Sequence, residues 1–285
     1  MAPSTIDNKV WLITGCSSGF GQQLAIAARK RGDHVIATAR KVETLDELKS
    51  LGCDILALDV TAVDAVVNDV VAQAHAIYGR FDILVNNAGF APVGAVEEAS
   101  TEEIQALFDT NVFGLLRVTR AVLPCLREKK SGVVANIGSM AGIATFPACG
   151  IYSASKAAVG LMTQALRLEA APLGIEVTSV ELGPFRTSAL SKGHKSIADY
   201  DELTSGFKQA VSLGGGMVPA ANPVLGAQAL VEALTKTGRC VDRSLPSRLP
   251  LGVCYDAIHA ALTLGLTELD AWKDFTDPEA FPLDA

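Results

Sequence analysis

The chain predicts a doubly wound α/β fold, one parallel sheet with helices on both faces. Three features of the first 180 residues carry that prediction. Short β-type runs alternate with helical stretches of ten or more residues, as βαβ units require. The runs are apolar on both faces, as strands covered from two sides must be. A glycine-rich turn lies at the first strand–helix junction.

The elements follow in order. VWLIT (10–14) is the first strand, and a helix runs from Gly19 to Arg31 until Gly32 closes it. HVIAT (34–38) is the second strand, before a short helix at 43–50. CDILALDV (53–60) is the third, with a helix over 62–78, and FDILVNNAG (81–89) is the fourth. One long helix is predicted over 101–128, then a strand GVVANIGS (132–139). A helix from Tyr152 to Leu173 precedes the strand IEVTSVEL (175–182). With no repeat and no linker rich in Pro, Gly or Ser in this region, residues 1–285 are expected to be a single domain. Residues 186–222 lack periodicity and are expected to be a substrate loop or lid, which places His194 and Lys195 in solvent. A helix over 223–236 and a C-terminal extension over 240–285 complete the chain; the extension holds PSRLPLG (246–252) and a helix near 253–273.

Composition narrows the function. Of 285 residues 49% are hydrophobic and 19% charged, so the chain folds around a core. The net charge of −7 and the lack of like-charge blocks argue against nucleic acid as a partner. The six cysteines are scattered without CxxC spacing and read as reduced thiols. The four histidines, at 34, 75, 194 and 259, show no metal spacing, so no metal is expected. MAPSTIDNK lacks the basic-then-apolar order expected of a secretory signal, and no apolar run reaches the ~18 residues that span a bilayer. A cytoplasmic protein is the expectation.

Thr14-Gly15-Cys16-Ser17-Ser18-Gly19-Phe20-Gly21 joins the first strand to the first helix. Glycines let the backbone turn tightly and approach a phosphate, and the helix start offers free N–H groups and the positive end of its dipole. The second strand ends in Thr38-Ala39-Arg40-Lys41, with no acid to take a ribose 2′-OH. Arg40 can fork around a 2′-phosphate, which favours NADP(H). Asp59, at the end of the third strand, is placed either to accept from an adenine amine or to cap the helix that follows at Ala62.

Tyr152 and Lys156 lie four residues apart and share one helix face. An ammonium beside a phenol favours phenolate and makes it a usable acid and base. Ser139 ends the fifth long strand, where its hydroxyl can donate to a substrate oxygen that gains negative charge.

These pieces, in their order and spacing over residues 9–190, resemble the short-chain dehydrogenase/reductases. They are TGCSSGFG (14–21), Asp59, NNAG (86–89), Asn111, Ser139 and YSASK (152–156). The resemblance implies a Rossmann fold and a nicotinamide cofactor. It makes Tyr152 the proton donor and acceptor, and Ser139 the group that orients and polarises the carbonyl. Lys156 would hold the nicotinamide ribose and lower the Tyr152 pKa, and Asn111 would hold a water leading from Lys156 to solvent. Asn86, Asn87, Ala88 and Gly89 would shape the sheet and the adenosine side of the cleft, with Asp59 and Val60 also at the cofactor, Gly183 and Phe185 beside the nicotinamide, and Thr187 placed to meet the carboxamide or a phosphate. The family's Pro-Gly after the sixth strand is Leu182-Gly183 here, with Pro184 following. The extended C-terminus is similar to that of hydroxysteroid and retinol dehydrogenase-like members. The helices at 101–128 and 152–173 build a dimer bundle in many relatives, so a homodimer or homotetramer is expected.

The residues expected near the substrate include Met140, Phe146, Cys149 and Phe185, with Phe90, Val93, Ile143 and Leu190. They are apolar, with no Arg or Lys fork, which suits an uncharged lipophilic small molecule. Interconversion of a ketone or aldehyde with its alcohol, run as a reduction with NADPH, is the expected activity. A non-redox isomerase or cyclase in the same cleft, or a regulator that binds the dinucleotide, is the alternative.

Overall fold

A computed structural model of the chain describes residues 8–187, 190–192, 196–212 and 220–276. Strand β1 (Val10–Ile13) passes through the glycine turn into helix α1 (Gly19–Arg31), and β2 (His34–Ala39) returns beside it. Helix α2 (Asp46–Ser50), strand β3 (Asp54–Ala57), helix α3 (Asp64–Tyr78) and strand β4 (Ile83–Asn86) follow. A short strand β5 (Ala91–Val93), absent from the sequence reading, precedes α4 (Thr101–Phe108) and α5 (Leu115–Lys129). Then come β6 (Gly132–Ile137), α6 (Gly150–Ala170) and β7 (Ile175–Leu182). The last elements are β8 (Leu190–Lys192), α7 (Asp201–Ser212), α8 (Pro223–Thr235), β9 (Arg248–Leu251) and α9 (Tyr255–Ala271).

Seven strands form one parallel sheet in the order β3-β2-β1-β4-β6-β7-β9. The chain winds outward from β1 in one direction and then, from β4, in the other. Such a reversal opens a crevice at the carboxyl ends of the two central strands. The pleat sends alternate side chains to two cores. Trp11, Ile13, Val35, Ala37, Ile83 and Val85 pack with Leu24 of α1 and Leu230 of α8. Val10, Leu12, Ile36 and Leu84 pack with Val67 of α3 and Val118 and Val122 of α5. This is the two-faced sheet predicted from the sequence.

The predicted helix over 101–128 is interrupted. Between α4 and α5, Asp109–Gly114 takes a π-helical turn that turns Asn111 inward to 1% exposure. Insertions of this kind recur at functional sites. The aperiodic 186–222 region contains β8 and α7 among its described residues, and β8 pairs in parallel with β5. His194 and Lys195 lie outside the described residues. The PSRLPLG segment contains β9, and α9 buries no side chain. Among the described residues no helix is long and apolar enough to cross a membrane.

The fully buried Trp11 donates its indole N–H to Asp33 over 2.9 Å. Trp11→Phe keeps one aromatic ring, leaves that carboxylate oxygen short of a donor and opens a small void where the rest of the indole sat. The expected cost is about 1–3 kcal/mol, read as a lower urea midpoint at unchanged slope; an unchanged midpoint contradicts it.

Candidate active site

The site is assembled at the carboxyl ends of β1, β4, β6 and β7. Gly15 has a φ of +70°, and a Cβ there would lie 2.7 Å from Ala88 Cα. A Cβ on Gly21 would fall 2.6 Å from the Gly15 carbonyl oxygen and against the Asn87 amide. Hydrogen bonds then fasten this turn to the loop after β4. The Asn87 side chain donates to the carbonyls of Thr14 and Gly15, each at 2.9 Å, while the backbone N–H groups of Asn87 and Ala88 donate to Thr14 Oγ1, each at 3.0 Å.

Ser17 and Ser18 are exposed, and no acid stands in the first turn of α1, whose cap residue Ser18 makes no side-chain capping bond. The N-terminus of α1 therefore suits an anion. Arg40 stands exposed just beyond β2, with no ion pair among the described residues. Thr187 comes over the turn, its Cβ 3.3 Å from where a Gly19 Cβ would sit. This donor set fits a dinucleotide phosphate.

Two expected contacts resolve differently. Asp59 neither caps a helix at Ala62 nor stands free: its Oδ1 accepts from the N–H and hydroxyl of Thr61 at 2.9 and 2.7 Å, and α3 begins only at Asp64. Val60 is buried against Gly114, where a Cβ would fall 2.7 Å from its Cγ2. Leu182, in the proline's place, continues β7 by pairing in register with Leu251. The next residue, Gly183, donates its N–H to the Leu251 carbonyl at 2.8 Å. A Cβ on Gly183 would lie 2.8 Å from the Val253 carbonyl oxygen, so the returning chain fills the space beside the turn.

Ser139, Tyr152, Lys156 and Asn111 converge. Ser139, two residues past the end of β6, sets its hydroxyl near the Tyr152 phenol, where it favours the ionised form, and receives the Ala141 N–H at 3.1 Å. Lys156 is 6% exposed; its ammonium donates to the Ile137 carbonyl at 2.7 Å and lies 5.9 Å from the centre of the Tyr152 ring. Asn111 clasps the backbone of Phe90, accepting its N–H at 3.1 Å and donating to its carbonyl at 3.0 Å, and reaches Ser155 Oγ at 3.3 Å. A Cβ on Gly89 would sit 2.9 Å from the Asn111 side-chain oxygen.

The protein's own groups do not lower the phenol pKa as the sequence reading expected. Burial pushes Tyr152 up to about 12, against the pull of Ser139, and pushes Lys156 down to about 8. The ammonium is turned to a backbone carbonyl rather than to the phenol oxygen, which leaves desolvation dominant.

The candidate substrate residues separate into two groups. Met140 and Cys149 are buried, Cys149 close to Tyr152, and burial pushes the Cys149 thiol up to about 12, so it is a packed thiol. Phe146 meets Phe207 of α7 edge to face at 5.6 Å. Phe185 instead lies 5.2 Å from Phe20, with Gly226 and Gly252 making room for its ring, under α1 and α8.

A short chain dehydrogenase family model matches residues 9–197. The chain belongs to this family. Members are oxidoreductases that use nicotinamide dinucleotides. The chain is 40% identical over 183 residues to Oxidoreductase BOA17 of Botryotinia fuckeliana, covering 63% of this chain and 66% of that one. It is 39% identical over 180 residues to a 3-ketodihydrosphingosine reductase of Bacteroides thetaiotaomicron, covering 63% and 65%. These alignments therefore span about two thirds of each relative's length. A short-chain dehydrogenase from Streptomyces avermitilis superposes with a TM-score of 0.86 at 39% identity, covering 95% of this chain and 98% of that one.

Two residues of this short-chain dehydrogenase, Glu98 and Glu181, escaped the sequence reading. Glu98, 3% exposed, accepts from Ala95 N at 2.7 Å, Ile197 N at 2.9 Å and the Lys208 ammonium at 2.6 Å. It thereby pins the 196–212 segment, and with it Phe207, to the loop after β5. Its partners lie up to 110 residues away, so no local pattern marks it. Glu181 is an acid between Val180 and Leu182 near the site end of β7, which was a legible signal.

The shift at Lys156 sets a pH dependence. Its pKa falls on folding from 10.5 to about 8, mainly through burial, so in that window the unfolded chain binds the extra proton and stability rises with pH. Lys156→Met has no charge to bury. Its Tm relative to wild type is expected to be highest below pH 8 and to decline toward pH 10.5. A difference that does not vary with pH contradicts the assignment.

Proposed function

We propose that the protein is an NADP(H)-dependent ketone or aldehyde reductase acting on a lipophilic small molecule, with 1–285 as one catalytic domain and 186–222 as its substrate loop. The reading is carried by one observation: Ser139, Tyr152 and the buried Lys156 converge at the sheet ends that also bear the glycine turn. A regulator that only binds the dinucleotide has no need of this acid/base pair.

The turn from Gly15 to Gly21, the α1 N-terminus and Thr187 would hold the pyrophosphate, and Arg40 the 2′-phosphate. Lys156 would hold the nicotinamide ribose. The nicotinamide, when bound, supplies or accepts the hydride. In reduction Tyr152 delivers a proton to the substrate oxygen, and Ser139 donates a hydrogen bond to that oxygen as charge gathers on it. Lys156 holds positive charge against the phenolate that remains. Asn111, bonded to Phe90 and Ser155, fixes the chain through which a proton returns.

A ketone alone does not define the substrate. The buried Met140 and Cys149 and the Phe146–Phe207 pair are apolar, and the similarity to a 3-ketodihydrosphingosine reductase supports a long apolar ketone.

NADPH oxidation measured across acetophenone, α-tetralone and a long-chain 3-keto lipid tests the assignment. Tyr152→Phe is expected to lower kcat at least about 10²-fold with folding intact, the scale of a lost general acid. Retained turnover refutes it. Arg40→Asp is expected to shift the NADPH/NADH preference by on the order of tenfold or more, the worth of a lost charge-assisted bond. An unchanged ratio removes Arg40 from the 2′-phosphate.

A further inference from the structure

We propose that Glu181 is a positioning residue of the active site: its buried carboxylate, anchored by Arg248 of the last strand, holds the Ser139 backbone and sets the geometry and charge in which Ser139 and Tyr152 move a proton. The inference rests on the acid/base role given above to Tyr152.

Glu181 stands near the end of β7 with its side chain 1% exposed. Its Oε2 accepts the backbone N–H of Ser139 at 3.1 Å. Its Oε1 accepts from the guanidinium of Arg248 at 3.2 Å. Two glycines make the space for this pair. A Cβ on Gly138 would fall 2.6 Å from Glu181 Oε2, and one on Gly160 of α6 would fall 2.8 Å from an Arg248 terminal nitrogen. The carboxylate thus sits directly behind the Ser139 turn, and the guanidinium lies against the helix that carries Tyr152 and Lys156.

A purely apolar residue would fill this slot at less cost, since burying an ion pair in a sheet seldom stabilises a fold. What the pair supplies is orientation and field. The Ser139 N–H is tied down, which fixes the backbone from which its hydroxyl reaches toward Tyr152, while the Ala141 N–H on Ser139 Oγ holds the side-chain torsion. The negative charge also acts on the pair it faces: it favours the Lys156 ammonium and disfavours the Tyr152 phenolate. The other ionisable groups around it are Arg248 on β9, the Cys254 thiol whose sulfur donates to the Glu181 backbone carbonyl at 3.7 Å, and the Cys149 thiol beside Tyr152. Burial holds both thiols protonated across the ordinary range.

Glu181→Gln tests this, because the amide oxygen can still accept the Ser139 N–H while the charge is gone. Ketone reduction with NADPH falls as the phenol loses its proton at high pH. In Glu181→Gln that alkaline limb is expected about one pH unit lower, with kcat reduced and the KM for NADPH unchanged. A merely structural role lowers Tm and the active fraction but leaves the limb in place, and a coincident limb overturns the proposal. If the single variant does not fold with Arg248 left unpaired, Glu181→Gln with Arg248→Gln removes both charges, and the same acid shift is expected and the same coincidence overturns it. Should no ketone turn over, the tyrosinate absorbance difference between each protein and its Tyr152→Phe counterpart reads the same phenol directly, and equal midpoints overturn the proposal. Failure of the earlier reading is distinguishable: turnover then survives in Tyr152→Phe, whereas failure here leaves Tyr152→Phe inactive and only the pH limb unmoved.

Discussion

A buried ammonium organises this molecule. Lys156 is held out of water on α6, and a charge so placed must be met by protein groups or be lost as neutral amine. The fold meets it with the carbonyl at the end of β6 and the negative charge near the end of β7. Both lie where the sheet opens toward the crevice created by the reversal at β1 and β4. The chemistry of the site and the topology of the sheet are thus one constraint: only parallel strands ending together can bring the Ile137 carbonyl, Ser139 and Glu181 to a single helix face.

The same edge is stitched on the opposite side by neutral groups. Asn87 and Thr14 exchange hydrogen bonds that fasten the glycine turn to the loop after β4. Deeper in the sheet, Asn86 donates to Thr119 and to Asn136, and Asn136 donates to Thr163, each bond 2.8–2.9 Å long. Buried polar links of this kind carry direction, which apolar packing lacks, and they set the angle of α5 and α6 against the strands.

Around this rigid frame the substrate side is assembled from less regular chain. Ala148 adopts a positive φ of 67° just before α6, and its carbonyl accepts from Gly94 at 2.9 Å. That strained turn joins the Tyr152 helix to the loop that Glu98 ties to α7. Strain of this size persists where surrounding bonds over-determine the backbone.

Periodicity and short spacing were enough, in the sequence itself, to determine the parallel sheet, the start of α1 at Gly19, the Tyr152–Lys156 face and the position of Arg40. Each depends on residues within a turn or two of one another, where local sterics and the helical repeat decide. The π-helical turn at Asn111, the helix α7 and the Glu98 and Glu181 clusters were decided by tertiary structure alone. Asn111 turns inward because Phe90 offers it a backbone to bond; Glu181 is a buried anion because Arg248, 67 residues on, returns beside it. Even the acidity of Tyr152 belongs to that second class, since burial by distant chain outweighs the ammonium one helical turn away.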